Sequence, residues 1–81
     1  MEILKFEADW CQPCKVLNGL LKDLDYNIKA IDIDDDFEHV NKYKIRNVPT
    51  LVIIKNGQEV DRIVGVMPRK ELIKRLNKHK Q

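Results

Sequence analysis

Hydrophobic and polar positions change period several times along the 81 residues, and each change marks an element. Residues 2–8 carry the short apolar run Ile3-Leu4 and Phe6, which reads as a strand. From residue 11 to residue 24, Val16, Leu17, Leu20, Leu21 and Leu24 recur every three or four positions, the spacing of a helix with one buried face. Gly19 lies inside it, at a cost of about 1 kcal/mol relative to alanine, and marks a bend or a close approach. Tyr26-Asn27 turns the chain into a second strand over 28–33. Asp34-Asp35-Asp36 brings acids to a helix start, where the dipole favours them. Phe37, Val40 and Tyr43 then give the inner face of a helix over 35–43.

Val48-Pro49 breaks that pattern, and residues 50–55 form an almost unbroken apolar strand. Asn56-Gly57 is a hairpin turn, and residues 59–64 alternate as the returning strand. Gly65 ends it. Pro68 opens a last helix at a first-turn position, with Leu72, Ile73 and Leu76 inward. The order β-α-β-α-β-β-α predicts an α/β fold. Its first two strands lie parallel through a right-handed crossover, and the hairpin adds an antiparallel pair. That is a four-stranded mixed sheet with three helices. The 81 residues are expected to form a single domain, with no linker or internal repeat.

Composition excludes several classes. With 43% hydrophobic and 35% charged residues, three glycines and three prolines, the chain is globular rather than disordered. No apolar stretch approaches the ~18 residues that span a bilayer, so no membrane partner is expected. Glu2 and Lys5 interrupt the first apolar run, which does not read as a secretory signal. A cytoplasmic setting follows as the expectation, and there a disulfide would be catalytic rather than a staple. The net charge of +2 collects its basic residues in the last helix, on the wet side and without an aromatic residue. A nucleic-acid partner is therefore not expected.

The chemistry lies in Cys11 and Cys14, the two cysteines of the chain. Two thiols at this spacing, where a strand hands over to a helix, form a redox arrangement rather than a zinc knuckle. A free thiol with a pKa of about 8.5 is mostly protonated at neutral pH. Cys11 stands at the helix mouth, where unpaired N–H groups and the dipole favour a negative sulfur. Pro13 fits the first helical turn, which needs no amide donor there. Cys14 is one turn in, close enough to attack a sulfur bound to Cys11.

The run Asp9-Trp10-Cys11-Gln12-Pro13-Cys14-Lys15 resembles the thioredoxin active site. Residues 43–51, ending Val48-Pro49-Thr50-Leu51, resemble the segment that leads thioredoxins into their cis-proline loop. Lys55-Asn56-Gly57 and Val64-Gly65 fall where that family has a hairpin turn and a groove-lining glycine. The resemblance implies a minimal thioredoxin fold and a protein-disulfide reductase in which Cys11 attacks and Cys14 resolves. It implies that Trp10, Gln12, Pro13, Val48, Pro49 and Gly65 meet the substrate, and that the Val48–Pro49 bond is cis. Disulfide-containing client proteins, ribonucleotide reductase among them, and a thioredoxin reductase or glutathione system as electron donor are implied as partners. No cofactor or metal is expected, and the chain is expected to be a monomer.

Three departures stand out. The usual first strand and helix of the family do not precede the strand before the cysteines, so one sheet face should lose a covering helix. Gln12 replaces the usual glycine. Lys5 stands where the family buries an acid, with Glu7 on the same strand face. Lys5, or the Lys5–Glu7 pair, is a candidate modulator of the Cys14 thiol; the plainer alternative is that the missing helix leaves this face wet and both charges are merely solvated.

Rival readings are weaker. Zinc would need Cys11, Cys14, His39 and His79 together, and the histidines lack the paired spacing; His39 reads as a surface residue and His79 as part of a frayed terminus. The acids at 32, 34 and 36 fail as a calcium loop, because Phe37 occupies the glycine position. A glutathione-dependent, glutaredoxin-like reductase fits the size but lacks the glycine-aspartate pair after the hairpin. An oxidase or isomerase would call for an export signal. A non-catalytic binding module remains the alternative from another class.

Overall fold

A computed structural model describes residues 1–80. The elements are β1 (Glu2–Glu7), α1 (Gln12–Leu21), β2 (Ile28–Asp32), α2 (Phe37–Tyr43), β3 (Thr50–Lys55), β4 (Gln58–Val64) and α3 (Arg69–Asn77). The sheet order is β2-β1-β3-β4, with β1 and β2 parallel and the other two pairs antiparallel. This is the expected mixed α/β sheet. Its central strands β1 and β3 are shielded on both faces, which is why Thr50 to Ile54 are all buried.

Strand alternation divides the core. Ile3, Leu51, Ile53 and Ile63 face α1 and α3, where Leu17, Leu21, Leu72 and Leu76 meet them. Leu4, Phe6, Ile31, Val52 and Ile54 face the other way, against Val40, Tyr43, Ile45 and Val48. That second face carries one helix, yet its core residues are at most 7% exposed. The lighter cover does not leave the face wet.

Several boundaries differ from expectation. Helix α1 ends at Leu21 rather than residue 24; Leu24 still packs on the core from the following turn. Val16 is 55% exposed and does not belong to the buried stripe. Gly19 has nothing within 4 Å of where a Cβ would stand, so no close approach explains it. Phe37, expected inward, is 68% exposed because it begins α2 while Val40 and Tyr43 turn to the sheet. Asp36 caps that helix by accepting the His39 N–H at 3.0 Å, a bond that holds the Asp36 carboxyl below its ordinary range. Pro68 is the N-cap of α3 rather than its first turn. The hairpin turn uses left-handed Asn56 and Gly57, with φ of 54° and 79°, as a two-residue connection requires.

His79 is not a frayed end. Its side chain is 15% exposed, and Nε2 lies 2.9 Å from Asp61 Oδ2 on β4. Arg75 forks onto the same carboxylate at 2.7 and 2.8 Å, so one acid on β4 holds two basic residues at the end of α3.

Candidate active site

Cys11 is the N-cap of α1. Its backbone is extended (φ −93°, ψ 105°), and its N–H is bonded to Ala8 C=O at 3.1 Å. Its sulfur lies on the end of the helix and accepts the Cys14 N–H at 3.1 Å. A helix begun this way offers backbone donors and the positive end of its dipole to the sulfur. Cys11 and Cys14 are joined as a disulfide with Cα atoms 5.3 Å apart. Gln12 and Pro13 are exposed on the outside of the loop, and Pro13 lies in the first helical turn as expected.

Both cysteines are buried in a small apolar nest, at 4% and 2% exposure, with Ala8 beside them and Ile33 and Val48 packed against them. The Val48–Pro49 bond is cis. Pro49 C=O accepts the Gly65 N–H at 2.8 Å, and Gly65 adopts the positive φ of 84° that favours glycine. The sequence motifs at residues 10–14, 48–49 and 65 therefore come together in space.

Trp10 is 66% exposed, with its indole N–H bonded to Asp34 at 3.0 Å. It forms one wall of a groove of about 270 Å³ whose other lining residues are Ile33, Val40, Ile45, Arg46, Asn47 and Val48. The groove is mostly apolar and adjoins the cysteine nest through Ile33 and Val48. Asp34, Ile33, Val40 and Ile45 were absent from the sequence-derived site. Asp34 is masked in sequence by a run of acids, Val40 reads as the inner face of a helix and Ile33 as the end of a strand, and nothing in the sequence marks Ile45 as a groove residue. A larger open groove of about 540 Å³ along α3, lined by Met67, Pro68, Glu71, Lys74, Arg75 and Lys78, contains neither cysteine.

Lys5 and Glu7 share one face of β1, as expected, but it is the face covered by α1 and α3 rather than the one left with a single helix, and they are neither fully buried nor freely solvated. Their side chains are 15% and 27% exposed, with Lys5 Nζ 3.3 Å from Glu7 Oε1. Glu7 Oε1 is out of contact with water and receives no hydrogen bond. Lys5 Nζ also donates to Asn18 Oδ1. Asn18 is one helical turn beyond Cys14 on α1, which sets the ammonium beneath that turn. The histidines take no part: His39 is bonded to Asp36 and His79 to Asp61. Among the described residues, no three His, Cys, Asp or Glu side chains gather as metal ligands. No helix among them is long and apolar enough to cross a membrane.

A dithiol pair at a helix mouth, against a cis-proline loop on a mixed sheet, defines a thiol–disulfide oxidoreductase. The thioredoxin family profile matches residues 1–78. A thioredoxin of Staphylococcus aureus is 38% identical over 85 residues, which cover 98% of this chain and 82% of that protein. Among solved structures, a thioredoxin variant of Halobacterium salinarum superposes with a TM-score of 0.87 at 28% identity, covering 99% of this chain and 74% of the other. A thioredoxin of Nicotiana alata gives 0.82 at 33% identity, covering 99% and 73%. The chain belongs to the thioredoxin family. It is a protein-disulfide oxidoreductase, with disulfide-containing clients and an electron-donating reductase as its general partners. The glutaredoxin-like and binding-module alternatives are not favoured.

Proposed function

We propose that the chain, acting as a single domain over residues 1–81, reduces client disulfides by a two-thiol exchange in which Cys11 attacks and Cys14 resolves. The observation that carries this is the position of the Cys11 sulfur, on the N-terminus of α1 and bonded to the Cys14 N–H. In the reduced protein that end favours charge on Cys11. The Cys11 thiolate forms a bond to one client sulfur as the client disulfide breaks, and the first client thiolate leaves. The Cys14 thiolate then attacks the Cys11 sulfur, and the second client thiolate leaves. Two electrons pass to the client, and the Cys11–Cys14 disulfide remains for an external donor to reduce.

In this reading, client chain lies beside Val48, Pro49 and Gly65, while Trp10, Gln12 and Pro13 form the exposed lip it meets. An apolar client side chain fills the groove beside Trp10. Lys5, held against α1 by Asn18 and paired with Glu7, stabilises negative charge on Cys14 during the resolving step. A thioredoxin reductase or a glutathione system supplies the electrons, ribonucleotide reductase is one client class, and the protein works as a cytoplasmic monomer. The test is reduction of a disulfide-bonded protein with dithiothreitol as the electron source. Cys11→Ser abolishes the catalysed rate; retained activity in that variant overturns the assignment.

A further inference from the structure

The groove wall at residues 45–48 hangs from the end of α2, and a side chain on the far edge strand holds that end. Arg62 Nη2 donates to the Tyr43 carbonyl at 2.7 Å. Tyr43 is the last residue of α2; Lys44 follows in the left-handed conformation with φ 53°, and Ile45 begins the wall. The guanidinium is itself aimed by Glu59, which accepts Nε and Nη2 at 2.8 Å each.

That fork depends on a local irregularity. Residues three apart on a regular strand face opposite ways. Ile53 pairs with Asp61 and Ile54 with Glu59, leaving Val60 as a bulge, so Glu59 and Arg62 share the α2 face. The neighbouring Asp61 points to the other face and clamps α3 through Arg75. Two forked ion pairs thus leave adjacent residues of β4 in opposite directions, one toward the groove wall and one toward the scaffold. A carbonyl at a helix C-terminus is electron-rich, and a planar donor held by a second carboxylate meets it in one orientation.

We propose that the Glu59–Arg62 pair is a positioning device for client binding, fixing the 44–48 segment at the height at which Val48 and Ile45 close the groove beside Trp10. It touches neither cysteine. This rests on the groove being the client seat. The pair sets affinity for a polypeptide disulfide and leaves the thiol exchange unchanged.

Steady-state reduction of insulin, with dithiothreitol as donor, is compared with reduction of a small aryl disulfide that has no chain to seat. Arg62→Gln raises the KM for insulin about fivefold with kcat held, and the aryl disulfide rate does not move. Glu59→Gln, which keeps the arginine but loosens its aim, moves KM the same way by less. Arg62→Lys recovers part of the loss, because an ammonium still reaches the carbonyl without the fork. Arg75→Gln is the control: it removes a comparable fork on the opposite face, lowering the melting temperature without changing KM. Equal KM shifts in Arg62→Gln and Arg75→Gln, or a fall in kcat on both substrates, overturn the proposal. Should Arg62→Gln fail to fold, Glu59→Gln decides by the same split. Val48→Arg fills the groove and tests the underlying reading separately. An unchanged insulin KM there overturns the groove as client seat, whereas a raised KM there beside an unchanged one in Arg62→Gln overturns the positioning role alone.

Discussion

Lys5→Met keeps an unbranched stem and deletes the ammonium, leaving the water-excluded Glu7 Oε1 without its partner charge. At the observed 3.3 Å and an effective dielectric of about 20, the lost attraction is about 5 kcal/mol before solvent is counted. Water takes up part of this, since the two side chains keep 15% and 27% of their exposure. Removing the ammonium also relieves the cost of keeping it dry. The net destabilisation is about 2 kcal/mol, the scale of a buried polar atom left with no compensating partner. For a domain of this size that lowers the thermal midpoint by about 8–16 °C. The double variant Lys5→Met/Glu7→Met removes both charges and returns to within about 1 kcal/mol of the parent. Urea unfolding of the oxidised protein near neutral pH measures both. A single variant within about 0.5 kcal/mol of the parent refutes the argument, as does a double variant no better than the single. The same substitution moves the pH profile of Cys14 alkylation upward, because a nearby positive charge no longer favours the thiolate. An unchanged profile leaves the pair with a structural role only.

Other outcomes follow from the same geometry. The bond from Arg75, aided by His79 and opposed by burial, holds the Asp61 carboxyl well below its ordinary value of 3.8. The unfolded chain takes up this proton before the folded one does, so the clamp contributes fully above about pH 5 and weakens below it. The stability gap between parent and Asp61→Asn, followed by urea midpoints across acid pH, therefore narrows as pH falls; a constant gap contradicts the linkage. Phe6 is fully buried and Phe37 is 68% exposed. Phe6→Ala costs about 3–5 kcal/mol, while Phe37→Ala stays within about 0.5 kcal/mol, a contrast that a shared inner face would erase.

What could be read from the sequence was what short-range pattern encodes. Residues 50–55 form a strand because a fully shielded central position demands an unbroken apolar run, and Asn56-Gly57 is a turn because both residues tolerate positive φ. The cysteines, Val48-Pro49 and Gly65 carried their own signatures. Phe37 misled because three-residue spacing alone does not show which way the first turn of a seven-residue helix faces. The bulge at Val60 left no mark in an alternating strand, and with it went the facing of Glu59 and Arg62. The Trp10–Asp34 bond and the His79–Asp61 contact join residues 24 and 18 apart, distances over which residue type gives no partner. Lys5 lay between the two cases. Its strand face was legible, and its degree of burial depended on how α1 packs above it.

The direct test of the two-thiol mechanism is trapping with Cys14→Ser. Removing the resolving sulfur leaves the first exchange intact and stops the second, so Cys11 should accumulate in mixed disulfides with client proteins. Non-reducing electrophoresis followed by mass spectrometry detects them as reductant-sensitive adducts whose cross-linked peptide contains Cys11. The account predicts such adducts in Cys14→Ser and none in the Cys11→Ser/Cys14→Ser double variant. Adducts formed through Cys14 in Cys11→Ser, with none through Cys11 in Cys14→Ser, would contradict it.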